Sequence, residues 1–400
     1  MPDTLRESTG PLAGMRVLDC THVIAGAWCS LLLADLGADV IKIEPPNGEV
    51  TRAHIGRFCA YDFVNRNKRA IAVDFARPLG AEALRRLANT ADVWVENFRP
   101  GALDRVGLGY EDLRKLNPAL IYASVSGFGS TGPYRERGGL DLVAQAMSGI
   151  MSFTGEPDGA PMSAGVPLAD LNAGTFAALG ILAAWAHRQK TGEGQRVEAS
   201  LLESALAYTV WEAGMYLTTG EVAQRKGSRH RLASPYEAFR TRDGRVVIGV
   251  SNQRLWLRFC EVLGPPSLDE DARFRDPLSR LAHRDALRDE IEARLLKEDT
   301  KVWVQKIVAR GIPCGPIQDI AQALADPHVK ARGTLVQVGG RQFVGSPLKL
   351  SRTPPTVRRG PAKVGEHSRE VFFQAGFAPE EIDRLVEAGA LVDGASKELG

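Results

Sequence analysis

Residues 15–45, MRVLDCTHVIAGAWCSLLLADLGADVIKIEP, decide the fold. MRVLDCTHV (15–23) reads as a buried strand, AWCSLLLADLG (27–37) as a helix closed by a glycine, and ADVIKIEP (38–45) as a second strand. Working outward, RAIAVDF (69–75), ADVWVENF (91–98) and ALIYASVSGFG (119–129) are further strands. GAEALRRLANT (80–90), between the first two of these, carries helical periodicity. Such alternation predicts an α/β fold with a doubly wound parallel sheet. Ligands of these sheets sit outside the carboxyl ends of the strands, which directs attention to DCTHVIAG (19–26), VENFRPG (95–101) and SVSGFGSTG (124–132).

Beyond Asp170 two helices are expected, separated by QKTGEGQRVEAS (189–200), a turn and a short strand. Ser200 and Glu203 have capping-box spacing at the start of the second helix. RKGSRHRLAS (225–234) is polar and basic, a boundary signal. YEAFRTRDGRVVIGVS (236–251) places an Asp-Gly turn between two alternating runs and predicts a hairpin. Charged amphipathic helices follow over 253–325. The expected organisation is a large domain of 1–200 and 331–400, a linker helix and loop at 201–227, and a small α+β domain at 228–330.

A net charge of +2 with 24% charged and 44% apolar residues is the profile of a globular chain. It argues against a general nucleic-acid or membrane-surface binder, which needs a concentrated basic excess. The five cysteines are scattered, without CxxC spacing, so reduced thiols are expected rather than disulfides or a zinc site. The polar start is no signal peptide, and FAALGILAAWA (176–186), an apolar run of 11 residues, falls short of the roughly 20 needed to span a bilayer. A cytoplasmic protein is expected.

Four features have residue types that carry chemistry. GFGSTG (127–132) matches G-x-G-x-x-G after a strand, but no helix opens until about Asp141, so the pyrophosphate of a dinucleotide would lack its helix N-terminus. A Gly-rich loop allowing close approach to the backbone is favoured instead. His22 has neither a nucleophile elbow nor metal-ligand partners in the chain, and reads as a structural or ligand-contact histidine. ENFRPGALDRVGLGYEDL (96–113) gathers Asn97, Arg99 and Arg105, either a solvated face or an anion site suited to phosphate. Asp170, in GVPLADLNAGTFAALGILAAW (165–185), fits a helix N-cap, which would depress its pKa and keep it ionised. An ionised carboxylate there is also what a carboxylate nucleophile requires.

Five long segments strongly resemble the class III CoA-transferase (CaiB/BaiF) family. They are PLAGMRVLDCTHVIAGAWCSLLLADLGADVIKIEPP (11–46), NRNKRAIAVDF (65–75), VENFRPGALDRVGLGYEDLRKLNPALIYASVSGFGSTGPY (95–134), GLDLVAQAMSGIMSFTGEPDGAPMSAGVPLAD (139–170) and GSPLKLSRTPP (345–355). The resemblance implies a Rossmann-like large domain built from both chain ends, a smaller domain, and an interlocked homodimer. It implies Asp170 as the nucleophile, in a D-x-x-x-G segment. It implies CoA contacts at Val23, Ile24, Val73, Asp74, Phe75, Ala76, Asn97, Phe98, Arg99, Arg105, Arg137, Gly138, Gly139 and Leu140. The partners are an acyl-CoA donor and a small carboxylate acceptor, with CoA as substrate, no permanently bound cofactor and no metal. The Gly-rich segment at 137–140 is the expected source of oxyanion donors.

Departures from the family narrow the expectation. The racemase branch pairs its Asp with a His in G-H-D, which here reads Gly139-Leu140-Asp141, and Leu140 carries no proton. The racemase's second-domain Glu is also missing from GVSNQRLW (249–256), where Asn252 and Gln253 stand. The glycine run of the formyl-CoA branch is absent, and its Gln and Arg contacts are replaced by Ile24 and Pro45, so formyl-CoA and oxalate are not expected. Arg225, Lys226, Arg229 and Arg231 would suit a dicarboxylate such as succinate or a branched C5 diacid. The alternatives are an α-methylacyl-CoA racemase or epimerase and a CoA-binding protein without turnover.

Overall fold

A computed structural model describes residues 10–55 and 58–394. Its central sheet has seven strands. Six are parallel: β1 (Arg16–Cys20), β2 (Asp39–Glu44), β3 (Lys68–Val73), β4 (Val93–Glu96), β5 (Ile121–Ser126) and β6 (Arg196–Ser200). They run in the order 3-2-1-4-5-6, so the order reverses between β1 and β4, where doubly wound sheets bind their ligands. A seventh strand, Leu391–Val392, pairs antiparallel with β3 and was not legible in the short run that forms it.

Side chains from alternate positions of each strand feed two cores. Leu18, Ile41, Ile71 and Trp94 face the helices Pro78–Ala88, Ser368–Gln374 and Pro379–Glu387 through Leu84, Leu87, Phe372 and Leu385. The opposite face carries α1 (Ala25–Asp35) and, beyond α2 (Asp141–Met147), the long α3 (Leu168–Thr191), followed by α4 (Leu201–Ala207). At 24 residues α3 has the length and hydropathy of a bilayer span, which the 11-residue run did not suggest. Its Ala-rich face packs instead on α1, α4, β5 and β6. Gly174 makes the α1 contact possible: a Cβ there would lie 2.3 Å from the Ala25 carbonyl oxygen. At α4, Ser200 Oγ accepts the Glu203 N–H (3.2 Å) as the capping-box spacing predicts, but its hydroxyl also donates to the Glu203 carboxylate (2.5 Å).

The chain divides into two compact units, 1–150 with 163–218 and 331–400, and 151–162 with 219–330. The segment 201–218, expected as a linker, thus groups with the large unit, because α4 packs on α2 and α3. Residues 151–162 group with the small unit instead of the large. The small unit holds the expected hairpin, Tyr236–Arg240 paired with Arg245–Gly249, extended by Cys314–Pro316. Its core gathers Phe239, Ile248, Trp256, Phe259 and Ile291.

Candidate active site

The loop after β1 is held by buried charge. The Asp19 carboxylate accepts from the Thr21 N–H (3.1 Å), the Ser30 hydroxyl (2.6 Å) and the Lys68 ammonium (2.9 Å), with Lys42 at 3.5 Å. Burial pushes Asp19 upward, but the two ammonium groups and the two hydroxyls outweigh it and hold the acid well below its ordinary range. Lys68 also donates to the Ala27 carbonyl (2.9 Å) and Asn65 Oδ1 (2.8 Å), so its donors are spent and its role is structural. Lys42 reaches the Thr21 carbonyl, and buried Glu49 accepts the Val23 N–H (3.1 Å) while facing His22 Nδ1 at 3.6 Å. Asn97 clasps the His22 backbone from both sides, Oδ1 accepting its N–H and Nδ2 donating to its carbonyl, each at 2.7 Å. Together these contacts keep Val23 at φ 61°, a left-handed conformation unusual for a β-branched residue. His22 is therefore an anchored loop residue, its ring set edge-on to Phe98.

Beside this loop lies a cleft of about 430 Å³ lined by Asn97, Phe98, Arg99, Arg137, Gly138, Gly139 and Leu140, together with Phe128 and Arg135. The first seven are half of the fourteen contacts that the family resemblance implied. The glycines are needed sterically. A Cβ on Gly139 would sit 2.4 Å from the Gly127 Cα, and one on Gly127 2.5 Å from the Gly139 Cα. The two backbones thus touch and fix 137–140 against the end of β5. Gly138 lies under the Arg99 guanidinium, which a Cβ would meet at 3.1 Å. G-x-G-x-x-G therefore serves as a backbone clasp, and the next helix begins only at Asp141. Arg135 was missed by sequence reasoning; the basic run RERGG was its only signal.

The other implied contacts do not line this cleft. Val23 and Ile24 lie just past the carboxyl end of β1, and Val73 to Ala76 at and just past that of β3, where the Val73 side chain is buried in the core and Asp74 binds Arg77. Arg105 is exposed on the short turn Asp104–Val106, near Gly101. A second cavity of about 310 Å³ shares Arg99 and holds Glu96, Tyr122 and Arg196. Burial raises Glu96 to about 7 against the pull of the Ser124 hydroxyl and the Phe98 N–H.

Asp170 sits in the first turn of α3, but it is not the N-cap. Pro167 holds that position, and no side chain of its own caps the helix. The cap comes from Asp141, whose Oδ1 accepts the N–H groups of Ala169 (2.8 Å) and Asp170 (3.3 Å). The Asp170 carboxyl, half-buried, is accordingly not depressed: burial and the Asp141 carboxylate raise it to about 6. At pH 7 about ten molecules are still ionised for each one protonated. Leu140 lines the cleft and Asp141 follows it, so a single residue step links the cleft to the helix that carries Asp170. Among the described residues no cluster of three or more His, Cys, Asp or Glu side chains is disposed to hold a metal.

A mostly parallel sheet with a basic cleft outside the carboxyl ends of β4 and β5, and a carboxylate at the start of a neighbouring helix, fits an α/β enzyme for an anionic ligand. The model of CoA-transferase family III matches residues 12–368, and the chain belongs to that family and is a CoA-transferase. It is 40% identical over 381 residues to a succinate–glutarate CoA-transferase of Agrobacterium fabrum, covering 91% of this chain and 95% of that one. It is 40% identical over 364 residues to an acetyl-CoA:oxalate CoA-transferase of Acetobacter aceti, covering 89% and 94%. The crystal structure of a CaiB/BaiF family protein from Brucella suis superposes with a TM-score of 0.85 at 36% identity, covering 92% of this chain and 99% of that one.

Proposed function

We propose that this transferase moves CoA between short dicarboxylates, with Asp170 as covalent nucleophile. The observation that carries the reading is Asp170 itself, ionised at neutral pH yet more basic than an ordinary Asp, on a helix capped by Asp141, the residue that follows Leu140 in a cleft lined by three arginines. Asp170 attacks the thioester carbonyl of the donor: its C–O bond forms, the C–S bond breaks, and CoA thiolate leaves behind a mixed anhydride. The thiolate then attacks the aspartyl carbonyl, expelling the donor's carboxylate and leaving an aspartyl-CoA thioester. An acceptor carboxylate runs the sequence in reverse and departs as the new thioester. Arg99, Arg135 and Arg137 suit the anionic parts of CoA, and the backbone of Gly138 and Gly139, lining the same cleft, is the source of oxyanion donors in this reading.

The similarity to a succinate–glutarate enzyme favours succinyl-CoA as donor and a C4 or C5 diacid as acceptor, while the oxalate relative extends the acceptors to be assayed to the shortest dicarboxylate. With Leu140 in place of the racemase's histidine, Asp170 lacks that branch's proton-carrying partner. The strand order supports a Rossmann-like large domain, and the bare apolar side chains of Trp211, Tyr216 and Leu217 on the helix Val210–Thr219 support a partner surface such as the homodimer that the family resemblance implies. Asp170→Ala is expected to abolish transfer from succinyl-CoA across a panel of dicarboxylates while leaving the melting temperature unchanged. Hydroxylamine during turnover should mark Asp170, and an active Asp170→Ala enzyme would refute the mechanism.

A further inference from the structure

We propose that Asp141 is the positioning residue of this site: its carboxylate caps the helix that carries Asp170 and sets the field in which Asp170 reacts. The inference rests on the reading of Asp170 as nucleophile. Two independent sets of contacts support it. First, Asp141 Oδ1 takes up both N–H groups at the start of α3 that its own chain leaves uncapped. Second, Asp141 Oδ2 accepts from Gln145 Nε2 at 2.6 Å, one turn along α2. Gln145, buried, accepts the Ala164 N–H at 2.9 Å and reaches the Val166 carbonyl at 3.4 Å. Asp141 and Gln145 therefore bracket the chain just before α3 as well as its first turn. Because Gly139 is locked to Gly127, the bracket is tied to the end of β5.

The same carboxylate is the charge that Asp170 senses. The elements packed on α3 bring few others. Helix α4 supplies Glu203, engaged with Ser200; β6 supplies Arg196 and Glu198, paired with each other; α1 supplies the Cys29 thiol, pushed up by burial, and Asp35, paired with Arg66; β5 supplies only the neutral Tyr122. Of these groups only Asp141 acts on the Asp170 carboxyl, in the direction that raises it. A positioning role and an electrostatic role thus reside in one side chain, and they separate by substitution.

Asp141→Asn keeps an oxygen for the two N–H groups and removes the charge. Transfer from succinyl-CoA to glutarate, or to whichever acceptor the panel identifies, is measured against pH. The acid limb of kcat/KM is expected near 6 in the native enzyme and lower by about half a unit or more in Asp141→Asn, with KM for the thioester unchanged. A fall of one full unit would raise the ionised fraction at pH 5 from about one in eleven to about one half. Asp141→Ala loses the cap as well, and should combine the same limb shift with a loss in kcat of about tenfold or more. Asp141→Ser, which retains a short acceptor without charge, serves if Asp141→Asn does not fold. An acid limb left at its native position in the uncharged variants, or missing from the native enzyme, overturns the inference. The control is Asp170→Ala: if that variant transfers CoA, the nucleophile reading has failed; if it is inactive while the limb is unmoved, only the role of Asp141 has.

Discussion

Gly174→Ala sets two well-measured effects against each other. In an open helix interior the change stabilises by about 1 kcal/mol, since alanine loses less backbone entropy. Here the new Cβ would stand 2.3 Å from the carbonyl oxygen of Ala25, and 3.2 Å from the Cys29 nitrogen. Ordinary contact begins about 1 Å further out, and the obstacle is backbone of α1, so no rotamer change relieves it. Overpacking of this kind costs about 1–3 kcal/mol, which leaves a net loss of up to about 2 kcal/mol after the helix gain is subtracted. The relief available is to move α3 off α1, and Asp170 lies one turn before Gly174. A displacement of that size at a reacting group costs up to about a hundredfold in rate.

Urea denaturation and steady-state transfer assays read both consequences. Gly180→Ala is the internal control, because its Cβ would meet only the side chain of Val197, Cγ1 at 2.6 Å, rather than backbone. It should change stability by less than about 1 kcal/mol and leave kcat near native. A Gly174→Ala enzyme more stable than the native one, with unaltered kcat, would show that the close α1–α3 contact does not set the position of Asp170.

Glu96 carries a carboxyl raised from its ordinary 4.5 to about 7 by burial. The folded chain therefore holds a proton that the unfolded chain releases between those values, so stability falls as pH rises from about 4.5 to 7, by about 3 kcal/mol for this group. Glu96→Gln should flatten that slope in pH-dependent urea titrations; an unchanged slope assigns it to other groups. Val23→Gly should leave stability within about 1 kcal/mol of native, because relief of the left-handed strain offsets the entropy of glycine. Its KM for the acyl-CoA should nevertheless rise as the loop loosens, and a loss above about 2 kcal/mol would contradict the strain argument.

Most of the sheet was legible because its inner parallel strands are short apolar runs ending in a polar or glycine-rich turn, as in LDCTHV and SVSGFG. The strand Leu391–Val392 was not, since two residues carry no period and its place depends on β3 being an open edge. Asp170 was locally ambiguous, and the local rule chose the wrong cap. Proline holds the N-cap, and the acceptor comes from Asp141, 29 residues earlier, a pairing that no helix-start pattern can encode. The pKa followed the same logic. A cap's own carboxylate is stabilised by the N–H groups it binds, whereas Asp170 leaves them to Asp141 and meets a like charge. The clasp of Gly127 and Gly139 was half legible, as a glycine loop without a partner.

The raised basicity of Asp170 bears on which intermediate accumulates. In the mixed anhydride of the proposed mechanism, CoA thiolate attacks one of two carbonyls, and the better leaving group departs. A substrate carboxylate with a pKa near 4.3 leaves more readily than an Asp170 carboxylate near 6. Attack at the aspartyl carbonyl is thereby favoured, and the enzyme-bound thioester forms in preference to the starting materials. The second half-reaction meets the opposite preference, because Asp170 must itself leave for the product thioester to form. A higher pKa would trap the enzyme as its thioester, and a lower one would return the anhydride to donor and free enzyme. The charge of Asp141, together with burial, places Asp170 between these failures. On that argument the species that hydroxylamine intercepts is chiefly the aspartyl-CoA thioester, and neutralising Asp141 should reduce the fraction of enzyme captured in that form.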